Sequence, residues 1–148
     1  MNQIKHKIGI INGPNLNILG KREPEIYGSQ NFESFLFQLK KEFPNIYFEY
    51  AQSNHEGDII DALHACLDDQ FVGIIINPGG FSHTSIAIAD AIAAIAIPTI
   101  EVHISNIYAR ESYRHTNITG SKCIGVISGL GLNGYTLATN YLLNYHKK

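Results

Sequence analysis

Apolar residues along the chain follow two patterns, short runs rich in isoleucine and valine and longer stripes that recur every three or four residues. Each short run stops at a polar or glycine-rich turn. The short runs predict five β-strands, at residues 8–12, 46–51, 71–76, 98–105 and 123–128. The stripes predict helices that start near Ser29 or Asn31, near Asp58, at Ile86 and after Gly134. In the helix that starts near Asp58, Leu67 is expected to point inward.

Strands and helices that alternate at this spacing predict an α/β fold, a single domain with a doubly wound parallel sheet. The run 71–76 is apolar throughout, as expected of a central parallel strand that is buried on both faces. For five strands we expect the order 2-1-3-4-5, which opens a crevice between the ends of strands 1 and 3.

The helix 86–95 is apolar on almost every side, and Asp90 is its only charged residue. We therefore expect one face to cover the sheet and the other to meet another subunit.

Composition narrows the class of protein. The 148 residues suit one domain, and 13 acidic against 11 basic residues give a net charge of −2 without a basic block, which argues against nucleic acid or a membrane surface as the partner. No apolar run approaches membrane-spanning length, and residues 1–7 lead into a strand rather than a signal-peptide core. Cys66 and Cys123 are too few and too far apart for a metal clip or a disulfide framework, so we expect two reduced, buried thiols in a cytoplasmic protein.

Candidate chemistry collects in the segments that follow strands 1, 3 and 4, at residues 12–27, 77–83 and 103–114. In a doubly wound sheet, ligands bind beyond the carboxyl ends of the strands. The chain has three arginines, Arg22, Arg110 and Arg114, and all of them lie in the first or the last of these segments. Since the guanidinium fork suits carboxylates and hydroxyls, we expect a small, anionic, oxygen-rich ligand.

The fourth strand and its continuation carry many functional groups. Glu101, His103 and Ser105 alternate along the strand and point to one side. Arg110 and Arg114 are four residues apart, so a helical turn would place both guanidinium groups on one face. The alternative is an edge strand followed by a solvated, salt-bridged turn.

Residues 20–28 predict a surface loop that can move, because the segment is polar, has a glycine at each end and lacks a period. Its Tyr27 follows Arg22 by five residues, and a nearby cation favours the ionised form of a phenol. Simpler interpretations are a tyrosine that packs the loop, a buried structural role for His103 and a helix-capping role for His83.

Several familiar sites are disfavoured. Residues 129–134 have the G-x-G-x-x-G spacing, but no further βαβ unit follows them. His83, His103 and Glu101 lack the local spacing of zinc ligands, and no phosphate-binding loop is present. What remains is acid–base chemistry by histidine, tyrosine and asparagine, without metal or cofactor.

Four motifs carry a resemblance to a known family: Gly13-Pro-Asn-Leu-Asn-Ile-Leu-Gly-Lys-Arg-Glu-Pro-Glu-Ile-Tyr-Gly28, Gln52-Ser-Asn-His-Glu-Gly57, Asn77-Pro-Gly-Gly-Phe-Ser-His-Thr-Ser85, and Glu101-Val-His-Ile-Ser-Asn106 with Ala109-Arg110-Glu111 and Arg114. In this order and spacing the chain resembles type II 3-dehydroquinate dehydratase from about Ile8 to Tyr141. The resemblance implies a flavodoxin-like domain that converts 3-dehydroquinate to 3-dehydroshikimate in the shikimate pathway, without metal or cofactor, usually as a dodecamer of four trimers.

The resemblance also implies catalytic roles. Tyr27 would be the base that removes a proton alpha to the ketone, with Arg22 holding its phenolate. Asn15 would stabilise the enolate through a bound water. His103, oriented by Glu101, would protonate the departing hydroxyl.

Binding roles are implied in the same way. The substrate carboxylate would rest on the backbone N–H groups of Ile104 and Ser105 together with Asn77. His83 and Arg114 would hold ring hydroxyls.

Two further features of the sequence, at Asp90 and at Lys21, bear on the subunit contact and on the reaction route. Asp90 would reach a neighbouring subunit's site, but Ala89 precedes it where many family members carry arginine, which puts the ion pairing around Asp90 in doubt. A Schiff-base route is disfavoured because Lys21 is the only lysine near the site.

The alternative from a different class is a non-catalytic flavodoxin-like domain that binds a small acid and assembles through helix 86–95.

Overall fold

The fold consists of one five-stranded sheet with helices on both faces, in a computed structural model that describes residues 6–21 and 23–145. Arg22 lies outside the described residues. The strands are β1 His6–Asn12, β2 Ile46–Gln52, β3 Phe71–Asn77, β4 Thr99–His103 and β5 Gly125–Ser128. All neighbouring pairs are parallel, and the order β2-β1-β3-β4-β5 confirms the predicted topology.

The five α-helices are α1 Pro24–Tyr27, α2 Phe32–Glu42, α3 Glu56–His64, α4 Ile86–Ile95 and α5 Asn133–Tyr145. Two of them begin as their sequences predict, because Asn31 and Ser85 cap α2 and α4 by accepting hydrogen bonds from the third residue onward. Helix α1 is a single turn within the predicted loop, with Pro24 at a position where the missing N–H costs nothing.

Two apolar cores lie on the two faces of the sheet. One joins Ile8, Ile10 and Ile75 to α2 and α5, and the other joins Ile11 and Ile74 to α3 and α4. In β3 the side chains of residues 74–76 are fully buried, which confirms the prediction of a central strand.

Several predicted details are wrong. Leu67 was expected inside but is 62% exposed, because α3 ends before it. The fifth strand begins at Gly125 rather than at residue 123, since the preceding residues Thr119–Lys122 form a 3-10 turn. The fourth strand is also shorter than predicted and ends at His103.

The two cysteines are free, with Cys66 buried and Cys123 half-buried. Across the described ranges of the chain, no helix is long and apolar enough to cross a membrane. Helix α4 exposes Ile86, at 66%, together with Asp90, on the face that was expected to meet another subunit.

The carboxyl ends of β1 and β3 lie side by side, and this places the first and third loops in contact. Asn12 and Asn77 are register partners at the last position of the two strands. Next to them, a Cβ on Gly13 would lie 2.4 Å from the carbonyl oxygen of Pro78, so the close approach of the loops requires glycine.

Candidate active site

A pocket of about 130 Å³ opens beyond the carboxyl ends of β1, β3 and β4. Eight of the predicted site residues line it, namely Asn15, Tyr27, Asn77, His83, His103, Ile104, Ser105 and Arg114. Arg110 also lines it. The polar side chains of the three loops therefore meet at the carboxyl edge of the sheet, as the predicted strand order implied.

His103 and Glu101 form a buried pair at the end of β4. The Nε2 atom of His103 lies 2.7 Å from Oε2 of Glu101, and the two side chains are 6% and 0% exposed. Because Nε2 is engaged by the carboxylate, Nδ1 is the ring nitrogen left to serve a ligand. A carboxylate in this position orients the imidazole.

His83 is held by a different loop and stacks near His103. Its Nδ1 lies 2.8 Å from the carbonyl oxygen of Thr116, which makes Nδ1 the protonated nitrogen. The two imidazole rings are 6.3 Å apart between centroids and only 18° from parallel. Ser85, and not His83, caps α4, so the capping interpretation of His83 is wrong.

Tyr27 contacts Arg110, whereas Arg22 was the cation expected beside it from the sequence. The Nη1 atom of Arg110 donates a hydrogen bond of 2.8 Å to the Tyr27 hydroxyl and one of 3.1 Å to the hydroxyl of Ser105. The guanidinium carbon also lies 5.3 Å from the centre of the Tyr27 ring. The Tyr27 oxygen therefore accepts a charge-assisted hydrogen bond from Arg110.

Arg110 and Arg114 both reach the pocket, but not through the helical turn that their spacing predicted. The turns Ile107–Ala109 and Ser112–His115 are separate 3-10 turns, and Arg110 between them is extended. Glu111 joins the two arginines, at 2.6 Å from Nε of Arg114 and 3.9 Å from Nε of Arg110. The hydrogen bond from Arg114 lowers the pKa of Glu111 to about 2.

Asn77 belongs to a buried polar network behind the pocket. Its Nδ2 donates to the Tyr135 hydroxyl at 3.1 Å, and its Oδ1 accepts from the backbone N–H of Gly79 at 3.1 Å. The same tyrosine donates to Oδ1 of Asn12 at 2.7 Å. Tyr135 is fully buried, and burial raises the pKa of its phenol above the ordinary range.

The loop after β1 is fixed by the second motif. Asn15 adopts a left-handed backbone with φ of 71°, and its N–H donates to Oδ1 of Asn54 at 3.0 Å. Gln52 donates to the same oxygen and to the carbonyl of Gly13, each at 3.2 Å. Side chains of the Gln52–Gly57 motif therefore hold the backbone of the first motif in place.

Among the described residues, two predicted site residues do not line this pocket, and a third, Arg22, lies outside the described residues. Glu101 lies behind His103, as an orienting partner would. Asp90 is exposed on α4, and the preceding Ala89 is 3% exposed.

Sequence reasoning missed several residues that support the site: Arg110 on the phenol, Asn12 and Tyr135 behind Asn77, and Asn117 and Thr119 around Glu101. Only Arg110 carried a signal, because it belongs to the small set of arginines in the site loops. Within residues 6–21 and 23–145, no group of three or more His, Cys, Asp and Glu side chains could hold a metal ion.

Comparisons with known proteins agree with this geometry. The model of the family described as dehydroquinase class II matches residues 6–143. The chain is 50% identical over 140 residues to 3-dehydroquinate dehydratase of Exiguobacterium sp., covering 94% of this chain and 95% of the relative. It is 54% identical over 134 residues to that of Caldicellulosiruptor saccharolyticus, covering 89% and 92%.

A solved structure is similar over the same length. The crystal structure of type II dehydroquinase from Butyrivibrio crossotus superimposes with a TM-score of 0.89 at 47% identity, and the match covers 93% of this chain and 97% of that one.

Proposed function

Because the chain belongs to the class II dehydroquinase family, we propose that it is a 3-dehydroquinate dehydratase, a hydro-lyase that eliminates water from 3-dehydroquinate to give 3-dehydroshikimate. This reaction belongs to the shikimate pathway, and a cytoplasmic location is part of the proposal. The observation that carries it is the presence, in one pocket, of an arginine-held phenol and a carboxylate-held imidazole.

Proton removal is assigned to Tyr27. Its phenolate takes a proton from the carbon alpha to the ketone, and the electron pair of that C–H bond forms the enolate. Arg110 stabilises the phenolate through the hydrogen bond of 2.8 Å. The additional role implied for Arg22 remains a prediction.

Enolate stabilisation is assigned to Asn15, acting through a bound water. The left-handed backbone of Asn15 and the hydrogen bond from its N–H to Asn54 support this role, because they hold its backbone at the edge of the pocket. Oriented donors of this kind contribute on the order of 10²–10³-fold to kcat.

Departure of the hydroxyl is assigned to His103. As the enolate collapses, the C–O bond breaks, and the doubly protonated imidazole delivers a proton so that water leaves. The adjacent carboxylate of Glu101 stabilises the positive ring that this step requires. General acid catalysis of this kind contributes about 10²–10⁴-fold.

Substrate binding completes the proposal. The backbone N–H groups of Ile104 and Ser105, with Asn77, receive the carboxylate, and His83 and Arg114 hold ring hydroxyls. All five residues line the pocket beside the acid. Arg110 and Arg114 make the pocket positive, which suits an anionic substrate.

Assembly is proposed as a dodecamer of four trimers, in which Asp90 reaches a neighbouring subunit's site. The exposed Ile86 on α4 supports an interface on this helix, since a large exposed apolar side chain on a helix that carries one charge suits a subunit contact. Light scattering should then give twelve times the chain mass of 16.4 kDa, and a monomer would contradict it.

The activity is tested with EDTA-treated protein and 3-dehydroquinate, by following the ultraviolet absorbance of the conjugated product. The expected result is a steady rise that scales with protein concentration. A domain that only binds a small acid would be stabilised thermally by the substrate but would give no rise. That outcome would overturn the proposed function.

A further inference from the structure

Residues 116–120, here called the 116–120 segment, contact His83 directly and reach His103 through Glu101. The segment joins the turn that carries Arg114 to the turn before β5 and lies outside the four motifs that carry the family resemblance. We infer that its Asn117 and Thr119 are positioning residues, which hold the carboxylate of Glu101 so that His103 is aligned for proton transfer. This inference rests on the proposed function for its consequence in catalysis.

The carboxylate of Glu101 is surrounded by donors from this segment. Oε2 accepts from Nδ2 of Asn117 at 2.5 Å in addition to its contact with His103, and Oε1 accepts from the hydroxyl of Thr119. Glu101 is fully buried, and its charge partner among the described residues is His103. A buried carboxylate is costly unless its oxygens are hydrogen-bonded, and two of its three donors come from the 116–120 segment.

Asn117 is itself oriented by its neighbours. Its Oδ1 accepts from the backbone N–H of Gly120 at 2.8 Å. With the oxygen used in this way, the amide nitrogen must face Glu101. A Cβ on Gly120 would lie 2.5 Å from Nδ2 of Asn117, so the close packing behind this amide depends on glycine.

The same segment fixes His83. The carbonyl of Thr116 accepts from the His83 ring at 2.8 Å, and the N–H of Ile118 donates to the carbonyl of Ser82 at 2.7 Å. One short stretch of chain thus holds His83 directly and His103 through Glu101, and the centroids of the two rings are 6.3 Å apart. A substrate between the loops would meet both rings in a fixed relation.

Loss of the Thr119 hydroxyl leaves Oε1 of Glu101 without its donor, and the carboxylate can then rotate away from the His103 ring. The imidazole would lose its fixed direction toward the departing hydroxyl, while the pocket wall that binds substrate would stay in place. The proton-transfer step depends on alignment, and misplacement by about 1 Å can cost 100-fold in rate. The effect should therefore fall on kcat rather than on KM.

The test compares Thr119→Val with Thr99→Val in the intact enzyme. Each change replaces a buried threonine by a residue of similar shape and removes one hydroxyl donor, from Glu101 in the first case and from the carbonyl of Ile97 in the second. We expect Thr119→Val to lower kcat by about 10- to 100-fold with KM changed less than about threefold. We expect Thr99→Val to keep kcat within about twofold, and Thr119→Ser to restore activity.

A second measurement reads the imidazole directly. Nitrogen-15 NMR of His103 should show a single form protonated at Nε2 in the neutral wild-type ring, and a mixture of tautomers in Thr119→Val and in Asn117→Leu. Melting temperature is recorded for every variant, with Thr99→Val as the reference for the loss of a buried hydroxyl.

The outcomes separate the two proposals. If the wild type is active and the kcat of Thr119→Val stays within twofold of it, the positioning role is overturned and the proposed function stands. The same holds if the kcat of Thr119→Val falls no further than that of Thr99→Val. A wild type that does not dehydrate 3-dehydroquinate overturns the proposed function. In that case a changed His103 tautomer in Thr119→Val still supports the positioning role, and an unchanged one overturns it.

Discussion

The Arg110 guanidinium donates a 2.8 Å hydrogen bond to the Tyr27 hydroxyl across 83 residues of chain. The same nitrogen contacts Ser105, so the cation is anchored just past the end of β4. Tyr27 is the last residue of α1, which places its phenol next to the cation. Gly28 follows with φ of 81°. The Tyr27 phenol therefore contacts Arg110 only when the loop lies over the end of the sheet.

Replacement of Tyr27 by phenylalanine should remove the hydroxyl proposed as the base and keep the packing of the ring. We expect kcat to fall by about 10²–10⁴-fold, because proton abstraction loses its acceptor, with a much smaller change in the dissociation constant of the substrate. Steady-state kinetics and a binding titration measure the two quantities. Equal losses in both would show that Tyr27 serves binding instead.

Replacement of Arg110 by lysine keeps a positive charge but not the planar fork that contacts Tyr27 and Ser105 together. The loss of a charged hydrogen bond costs about 1.5–3 kcal/mol, which corresponds to roughly 10- to 100-fold in kcat. Lys21→Gln removes a positive charge from the loop that carries Tyr27, outside the residues that line the pocket, and is the control. A similar loss in Lys21→Gln would revive a Schiff-base route and contradict the role of Arg110.

Glu111 should contribute an acid-sensitive part of the stability. Its hydrogen bond with Arg114 lowers its pKa from the ordinary 4.5 to about 2. Because the folded state has the lower pKa, the stabilisation is fully present above about pH 4.5 and is lost as pH falls through about 2. Urea unfolding of the wild type and Glu111→Gln should show a difference that shrinks over this window. A difference independent of pH would contradict the expectation.

Tyr135→Phe should destabilise the fold. The change leaves Asn12 and Asn77 buried without the hydroxyl that joins them, and an unsatisfied buried polar group costs about 1–3 kcal/mol. Tyr47→Phe, on β2 and 45% exposed, should stay within about 0.5 kcal/mol of the wild type. Chemical denaturation measures both variants, and equal stabilities would show that the network carries no net energy.

The two thiols should be inert in the folded protein. Burial raises the pKa of Cys66 to about 11 and that of Cys123 to about 12, so few thiolates exist at pH 8. Mass spectrometry after brief treatment with iodoacetamide should find both unmodified, and both alkylated after denaturation. Rapid modification of either thiol in the native protein would be the contrary result.

Much of the site could be located from sequence because topology decides where loops meet. Once the five strands and their order are predicted, the segments after β1, β3 and β4 must converge at one edge of the sheet. His83, His103 and Asn77 were found in this way. Arg110 was assigned to a helical turn with Arg114, and the structure places it instead in an extended residue between two 3-10 turns. A segment without hydrophobic periodicity gives little information about its backbone conformation, and this is why the helical turn was wrongly predicted.

By itself, the sequence determined the strands, their parallel order and the loops that hold the chemistry, because runs of β-branched residues and helical stripes are local patterns that hydrophobic burial enforces. Tertiary structure alone decided which side chains meet. The pairing of Tyr27 with Arg110, the enclosure of Glu101 by Asn117 and Thr119, and the link from Asn77 to Tyr135 each join residues at least 16 positions apart. Such contacts depend on the path of the backbone between them, and no local pattern encodes that path.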